Sequence, residues 1–163
     1  GKKKFIQFEK QHEDILNEGE KLRIELLNLV EKDAINFEPL SRAYIMPSAT
    51  EDEKIRKEKE MQKCLKIACS APIETMELTF EGINLHEELS DIASVTIISD
   101  IGVGVQLLKA ALNSAYLNVV INVNSINDDE YVNDIKQRTE KLLIDGNKKA
   151  DEIWNKVLKI LEP

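Results

Sequence analysis

Apolar residues recur along most of this chain at three- and four-residue spacing, the period of helices that bury one face. The first such stretch runs from about Asp14 to Ala43. Ile15, Leu22, Leu26, Leu29 with Val30, Phe37 and Leu40 lie along one side, with Tyr44 following. Pro39 falls inside it and predicts a kink, because proline removes a backbone donor and crowds the preceding turn. Met46-Pro47 predicts its end, since the residue before a proline is pushed out of the helical region. Thr50-x-x-Glu53 has the form of a capping box and predicts the start of a second helix. That helix is charged from Glu51 to Lys59, a run of alternating sign that reads as a solvated face. It becomes amphipathic through Met61, Leu65, Ala68 and Ile73. Pro72 predicts a bend, after which the pattern resumes through Met76 and Phe80 towards Leu85 and Leu89.

Residues 92 to 98, Ile-Ala-Ser-Val-Thr-Ile-Ile, are largely β-branched, but a lone strand would leave its backbone groups unpaired. They predict a buried connection or the first turn of a helix. Ser99 as a cap and Asp100 at the positive end of the dipole open a third helix that runs to Val123. It is the least polar of the helices. Gly102 and Gly104 share one turn of it, and glycine inside a helix costs about 1 kcal/mol relative to alanine. The pair therefore predicts close approach by another helix or by a ligand. Asn127 with Glu130 is a second capping-box-like start. The last helix turns Ile135, Leu142, Gly146, Ala150, Ile153, Val157 and Ile160 inward, a near-heptad that suits bundle or dimer packing equally. The fold class predicted is all-α: an antiparallel bundle of four to five long helices in one domain spanning residues 1–163.

Composition narrows the function. The 163 residues are 42% hydrophobic and 32% charged, with 6 glycines and 4 prolines, as expected of a folded domain with few breakers. A net charge of −8 repels phosphate backbones and anionic lipid, so nucleic-acid and membrane-surface partners are not expected. No apolar run approaches a membrane span, and no apolar core follows the basic start Gly1-Lys2-Lys3-Lys4. Cys64 and Cys69 are five apart on a helical pattern, hence on different faces. They predict reduced thiols in a cytoplasmic protein, where disulfides are rare. His12 and His86 lack partners at metal-ligand spacing and read as solvated surface residues. Neither a metal nor a cofactor is expected, and no phosphate-cradling glycine motif occurs.

Polar groups set into apolar stripes are the informative positions. Asp33 stands where the first helix calls for another leucine, between Leu29 and Phe37. A buried carboxylate is costly unless paired or protonated, and desolvation tunes it towards proton exchange. An ion pair made for structural reasons explains it equally well. Asn118 and Asn122 lie four apart on the face of the third helix that also carries Gly104, Ala111 and Ala115. Buried amides need partners, which a ligand's ring heteroatoms, helix backbone or a second subunit would supply.

These positions coincide with a family pattern. Ser99-Asp100-Ile101-Gly102-Val103-Gly104, continuing to Ala115-Tyr116-Leu117-Asn118-Val119-Val120-Ile121-Asn122, resembles the cyclodeaminase domain of formiminotransferase-cyclodeaminases and the stand-alone methenyltetrahydrofolate cyclohydrolases. Gly1-Lys2-Lys3-Lys4-Phe5, Lys32-Asp33-Ala34 with Phe37, and Ala43-Tyr44-Ile45-Met46-Pro47 resemble further segments of that family in the same order. The resemblance implies an all-helical homodimer with a tetrahydrofolate derivative as substrate. It implies Asp33 as the catalytic aspartate, with Asp100, Asn118 and Asn122 near the folate pocket. Lys2, Lys3 and Lys4 would meet the anionic glutamate tail. Family members usually begin with a Pro-Gly-rich segment and a further apolar helix before the basic stretch, so this chain is expected to be amino-terminally incomplete. Residues 92 to 98 also depart from the polar turn expected before Ser99-Asp100.

The activity implied is conversion of 5-formimino-tetrahydrofolate to 5,10-methenyl-tetrahydrofolate with release of ammonia. The alternative is hydrolysis of the methenyl bridge to 10-formyl-tetrahydrofolate. Both need a proton shuttle beside a carbon flanked by two nitrogens. A non-catalytic helical scaffold is the rival class. Asp33 in solvent, or in a dry ion pair away from any cavity, speaks for the scaffold; Asp33 on a cleft wall with Asn118 speaks for the enzyme.

Overall fold

Four helices account for nearly all of the chain in a computed structural model, which describes residues 7 to 162. They are α1 (Glu9–Tyr44), α2 (Glu51–Ile92), α3 (Ile98–Val123) and α4 (Asp129–Leu161). The all-α expectation holds, and the count is four. Neither internal proline divides its helix: α1 runs through Pro39 to Tyr44, and α2 through Pro72 to Ile92. Pro39 is exposed, so water can take the carbonyl its ring leaves unpaired. At 42 residues, α2 is about 63 Å long and forms the spine of the molecule.

Helix boundaries follow local chemistry, with two corrections. The Thr50–Glu53 capping box is complete: the Thr50 hydroxyl accepts from the Glu53 amide, and the Glu53 carboxylate accepts from the Thr50 amide. At α4 the cap is Asp128 rather than Asn127, with its carboxylate accepting from the Tyr131 amide. Asn127 instead donates to Glu58, and its own amide is taken by Gln62. At α3 the helix begins at Ile98 with no side-chain cap, which leaves Ser99 and Asp100 inside its first turn. The connection before it is an exposed turn more than a buried one. Val95 is in solvent, Ser94 and Thr96 join their hydroxyls, and Ile92 and Ile98 are the residues buried on either side.

Cross-helix contacts give the directions. Lys32 pairs with Glu74, and Asn36 donates to Ser70, so α1 and α2 are antiparallel. Gly82 meets Leu108 and His86 meets Gly104, which makes α2 and α3 antiparallel. Asn113 and Asn147 exchange amide hydrogen bonds at 2.8 and 3.3 Å on an antiparallel α3–α4 seam. The remaining neighbours, α2 and α4, run the same way, as the pairs Lys66–Asp128, Arg138–Glu77, Lys149–Glu87 and Lys156–Asp91 show. Exposed ion pairs of this kind each contribute at most about 1 kcal/mol. The stability comes from the apolar core between α2, α3 and α4, where Leu65, Met76, Ile83, Val105, Leu112, Val119 and Val157 are fully buried. The two glycines of α3 answer to helices on both counts: Gly102 lets Val157 and Trp154 approach, and Gly104 lets His86 approach.

Candidate active site

α1 has one principal neighbour, α2, and a helix with one neighbour buries only a narrow stripe. On α1 that stripe is Ile15, Leu22, Leu29, Leu40 and Ala43, with Asn36 partly covered. Position 33 falls to the side of it. Asp33 is therefore exposed, and so is Phe37, which corrects the expectation of an inward carboxylate replacing a leucine. Among the described residues no hydrogen bond or ion pair to Asp33 is formed, whereas Lys32 beside it bridges to Glu74.

α1 and α3 both run antiparallel to α2 and flank it, leaving a groove between them with α2 as its floor. At one end the groove widens into a cavity of about 460 Å³. Leu16, Leu22 and Leu26 of α1, Leu78 and Leu85 of α2, and Leu108 of α3 line it. Glu20, Arg23 and His86 supply its polar groups. Arg23 is occupied by Glu20 through two bonds of 2.8 and 2.6 Å.

Followed along the helices, both walls of this groove lead to predicted positions. Residues three and four apart share a helix face. The α1 line Gly19, Arg23, Leu26 continues to Val30, Asp33 and Phe37, and the α3 line Gly104, Leu108 continues through Ala111 and Ala115 to Asn118 and Asn122. The registers agree in height. The Lys32–Glu74 and Asn36–Ser70 contacts put Asp33 level with Ile73 of α2, and the Gly82–Leu108 and His86–Gly104 contacts put Asn118 level with Pro72. Asp33 and Asn118 thus stand at one height on opposite walls. Asn118 is exposed and Asn122 partly covered, so neither is the buried amide that its position on an apolar face suggested. Leaving α3's groove side uncovered is what exposes them.

The other predicted residues lie elsewhere. Asp100 is in the first turn of α3, about 27 Å along the helix from Asn118, so the structure does not bring it to Asp33. Lys2, Lys3 and Lys4 lie outside the described residues. His86, read as a surface residue, is half-buried between α2 and α3, with Nδ1 2.8 Å from the carbonyl of Gly82. His86 and Arg23 are the groove residues that sequence reasoning missed. The available signal was Leu78, Gly82, Leu85 and Leu89, an apolar stripe on α2 with a glycine in it. Cys64 and Cys69 are buried and unpaired, and burial pushes the Cys69 thiol up to about 11. No cluster of three metal-ligating side chains occurs among the described residues.

Comparison with known proteins bears on the fold and the family. The family model of formiminotransferase-cyclodeaminase matches residues 1–141. The chain belongs to that family. Methenyltetrahydrofolate cyclohydrolase of Methylorubrum extorquens is 30% identical over 157 residues, covering 96% of this chain and 76% of that protein. Formimidoyltransferase-cyclodeaminase of Gallus gallus is 30% identical over 146 residues, 88% of this chain but 26% of that much longer protein. A crystal structure of formiminotetrahydrofolate cyclodeaminase from Thermotoga maritima superposes with a TM-score of 0.76 over 97% of this chain and 73% of its own, at 24% identity. The likeness confirms the helical fold of a family of folate cyclodeaminases and cyclohydrolases. Among the described residues no helix is long and apolar enough to cross a membrane.

Proposed function

We propose that this chain is a one-carbon folate enzyme that binds its substrate along the α1–α3 groove and uses Asp33 to move protons. The observation that carries this reading is the placement of Asp33 and Asn118 at one height on facing walls, in line with an apolar cavity. The exposure of Asp33 alone would fit a scaffold; its position on a groove shared with two amides does not call for one. A folate has an aromatic middle and a polar, nitrogen-rich ring. The leucine-lined end of the groove suits the former, and Asn118 and Asn122 offer donors and acceptors to the latter.

The first reading is cyclodeaminase. N10 of 5-formimino-tetrahydrofolate attacks the formimino carbon, whose nitrogen enters protonated as an amidinium; the Asp33 carboxylate accepts the N10 proton, and the resulting carboxylic acid returns it to that nitrogen, which then carries the three protons of ammonia. Ammonia leaves, and the methenyl bridge remains as a delocalised cation beside the regenerated carboxylate. Bound substrate would exclude water from Asp33, which strengthens both the proton transfer and the attraction to the cation. General acid–base catalysis of this kind typically contributes about 10²- to 10⁴-fold. No metal or redox cofactor is needed. The second reading is cyclohydrolase, in which Asp33 takes a proton from the water that adds to the same carbon. It is favoured by the 30% identity to a cyclohydrolase of which the chain covers 76%. Either enzyme is read as a homodimer, as the family resemblance implies, and as working in the cytoplasm, where two reduced buried thiols are at home. Asp100, away from the groove centre, would serve an outlying part of the substrate, and Lys2, Lys3 and Lys4 its anionic glutamate tail.

Absorbance of the methenyl chromophore tests the proposal. Full-length protein is offered 5-formimino-tetrahydrofolate and 5,10-methenyl-tetrahydrofolate in separate runs. Growth of absorbance with the first supports the deaminase, and accelerated loss with the second alone supports the hydrolase. No change in either, from folded protein, overturns the enzyme reading.

A further inference from the structure

Among the described residues that line the leucine-walled cavity, Arg23 is the one permanently cationic group. Glu20 holds it from one turn back along α1. One carboxylate oxygen accepts from Nε and the other from Nη2, at 2.8 and 2.6 Å, which uses the side edge of the guanidinium. A guanidinium carries five N–H donors in a planar fork. Among the described residues, both donors on Nη1 and the second on Nη2 bond nothing. The end edge, Nη1 with Nη2, is therefore open to a second carboxylate, which arginine takes through two parallel bonds. Glu18 and Lys21 form a pair of the same spacing on α1, but neither lines this cavity. An exposed pair contributes at most about 1 kcal/mol, so Glu20 orients the fork without sequestering it.

We propose that Arg23 binds a carboxylate of the substrate at the cavity end of the groove, with Glu20 as the positioning residue that presents its open edge. Arg23 and Asp33 stand on the same wall, about 15 Å apart along α1. Between their heights come Leu26 of α1 and Leu78 of α2, both lining the cavity. A ligand that fills this length has its reacting group at Asp33, a flat apolar middle against the leucines, and an anion at Arg23. A folate with its one-carbon bridge at Asp33 has that order. The benzoyl ring follows N10, and an amide-linked glutamate with its carboxylates follows the ring. An aromatic ring against the leucines also excludes water beside Arg23, which strengthens the ion pair. The inference rests on the folate reading and deepens it by fixing the direction of the substrate. The nitrogen-rich ring lies towards Asn118 and Asn122, and the first glutamate lies towards Arg23. Lys2, Lys3 and Lys4 are then left for glutamates further along the tail.

Steady-state turnover by the full-length protein on two substrates tests it. One is the folate; the other is its counterpart with methylamine in place of glutamate, which keeps the benzoyl amide and removes the carboxylates. With the folate, Arg23→Gln is expected to raise KM about tenfold at held kcat, the mark of lost ground-state binding. Arg23→Lys keeps the charge but not the fork and should recover only part of the loss. With the methylamide the unaltered protein should already show the raised KM, and Arg23→Gln should add nothing. Arg23 is exposed, so unchanged helical content is the control. A KM that rises equally with both substrates, or that does not move with the folate, overturns the assignment and leaves the enzyme reading standing. If the unaltered protein turns over neither substrate, the enzyme reading falls, and an NMR titration with p-aminobenzoyl-glutamate decides the subsite. Binding that Arg23→Gln weakens upholds it; no binding, or binding indifferent to the variant, overturns it.

Discussion

The imidazole of His86 on α2 occupies the space where a side chain at position 104 on α3 would begin: a Cβ built on Gly104 lies 2.3 Å from Nε2. The ring is held from its other side by the bond between Nδ1 and the Gly82 carbonyl. Helix propensity favours alanine over glycine by about 1 kcal/mol, but overpacking costs about 1 to 3 kcal/mol, and here the clash wins. Gly104→Ala is expected to be destabilising in urea melts. His86→Ala in the same chain should recover much of the loss, and a double mutant no better than the sum of the singles would refute the contact.

Leu112 and Gly146 form the matching relationship on the α3–α4 seam, where a Cβ at 146 would lie 2.4 Å from a Leu112 methyl. Leu112 is fully buried, and Leu112→Ala is expected to cost about 2 to 5 kcal/mol. Adding Gly146→Ala puts a methyl into part of the vacated space and gains helix propensity. The double variant should therefore melt above Leu112→Ala, while Gly146→Ala alone melts below the unaltered protein.

Asp33→Asn separates catalysis from folding. Asp33 is exposed and forms no bond among the described residues, so the melting temperature should hardly move. Turnover by the full-length protein is expected to fall by about 10²- to 10⁴-fold. Unchanged turnover would remove Asp33 from the mechanism.

Acid should loosen the helix starts. The Lys66 ammonium, with the Tyr131 amide, holds Asp128 below its ordinary pKa, and the Thr50 and Ala49 amides hold Glu53 below its own. A group depressed in the folded state adds stability above its unfolded pKa and loses it as pH falls through the folded value. Stability is therefore expected to be level through neutrality and to decline below the ordinary carboxylate range. In Asp128→Asn the decline should be shallower; an identical pH profile would show that this pair adds nothing.

Thiol reactivity reports on the core. Burial raises both cysteines, Cys69 to about 11, and the thiolate is the reactive form. Labelling by a disulfide reagent at neutral pH should be slow in the native protein and immediate in denaturant. Fast native labelling would mean that α2 opens.

The helices were legible in the chain because their causes are local. The capping box at Thr50 and Glu53, the sparse breakers and the three-to-four spacing act within a turn or two of each residue. Pro39 and Pro72 weaken their helices without ending them, as the apolar pattern continuing beyond each predicted. Locality misled at Asn127, since choosing between two adjacent caps depended on Glu58 and Gln62, more than sixty positions away.

What the sequence by itself determined is thus the set of helices, their approximate ends, and the family, whose motifs are strings of neighbouring residues. The spacing also gave the inward side of most helices, Ile15, Leu22, Leu29 and Leu40 on α1 and Ile135, Gly146, Ala150, Ile153 and Val157 on α4; tertiary structure alone decided how wide each buried stripe is, because that depends on how many neighbours a helix has. With one principal neighbour, α1 leaves Asp33 in solvent; packed on two sides only, α3 leaves Asn118 uncovered. The groove that sets Asp33 opposite Asn118 lies between helices that are not consecutive in the chain, and their relative height comes from where each grips α2. No period along a single helix carries that information.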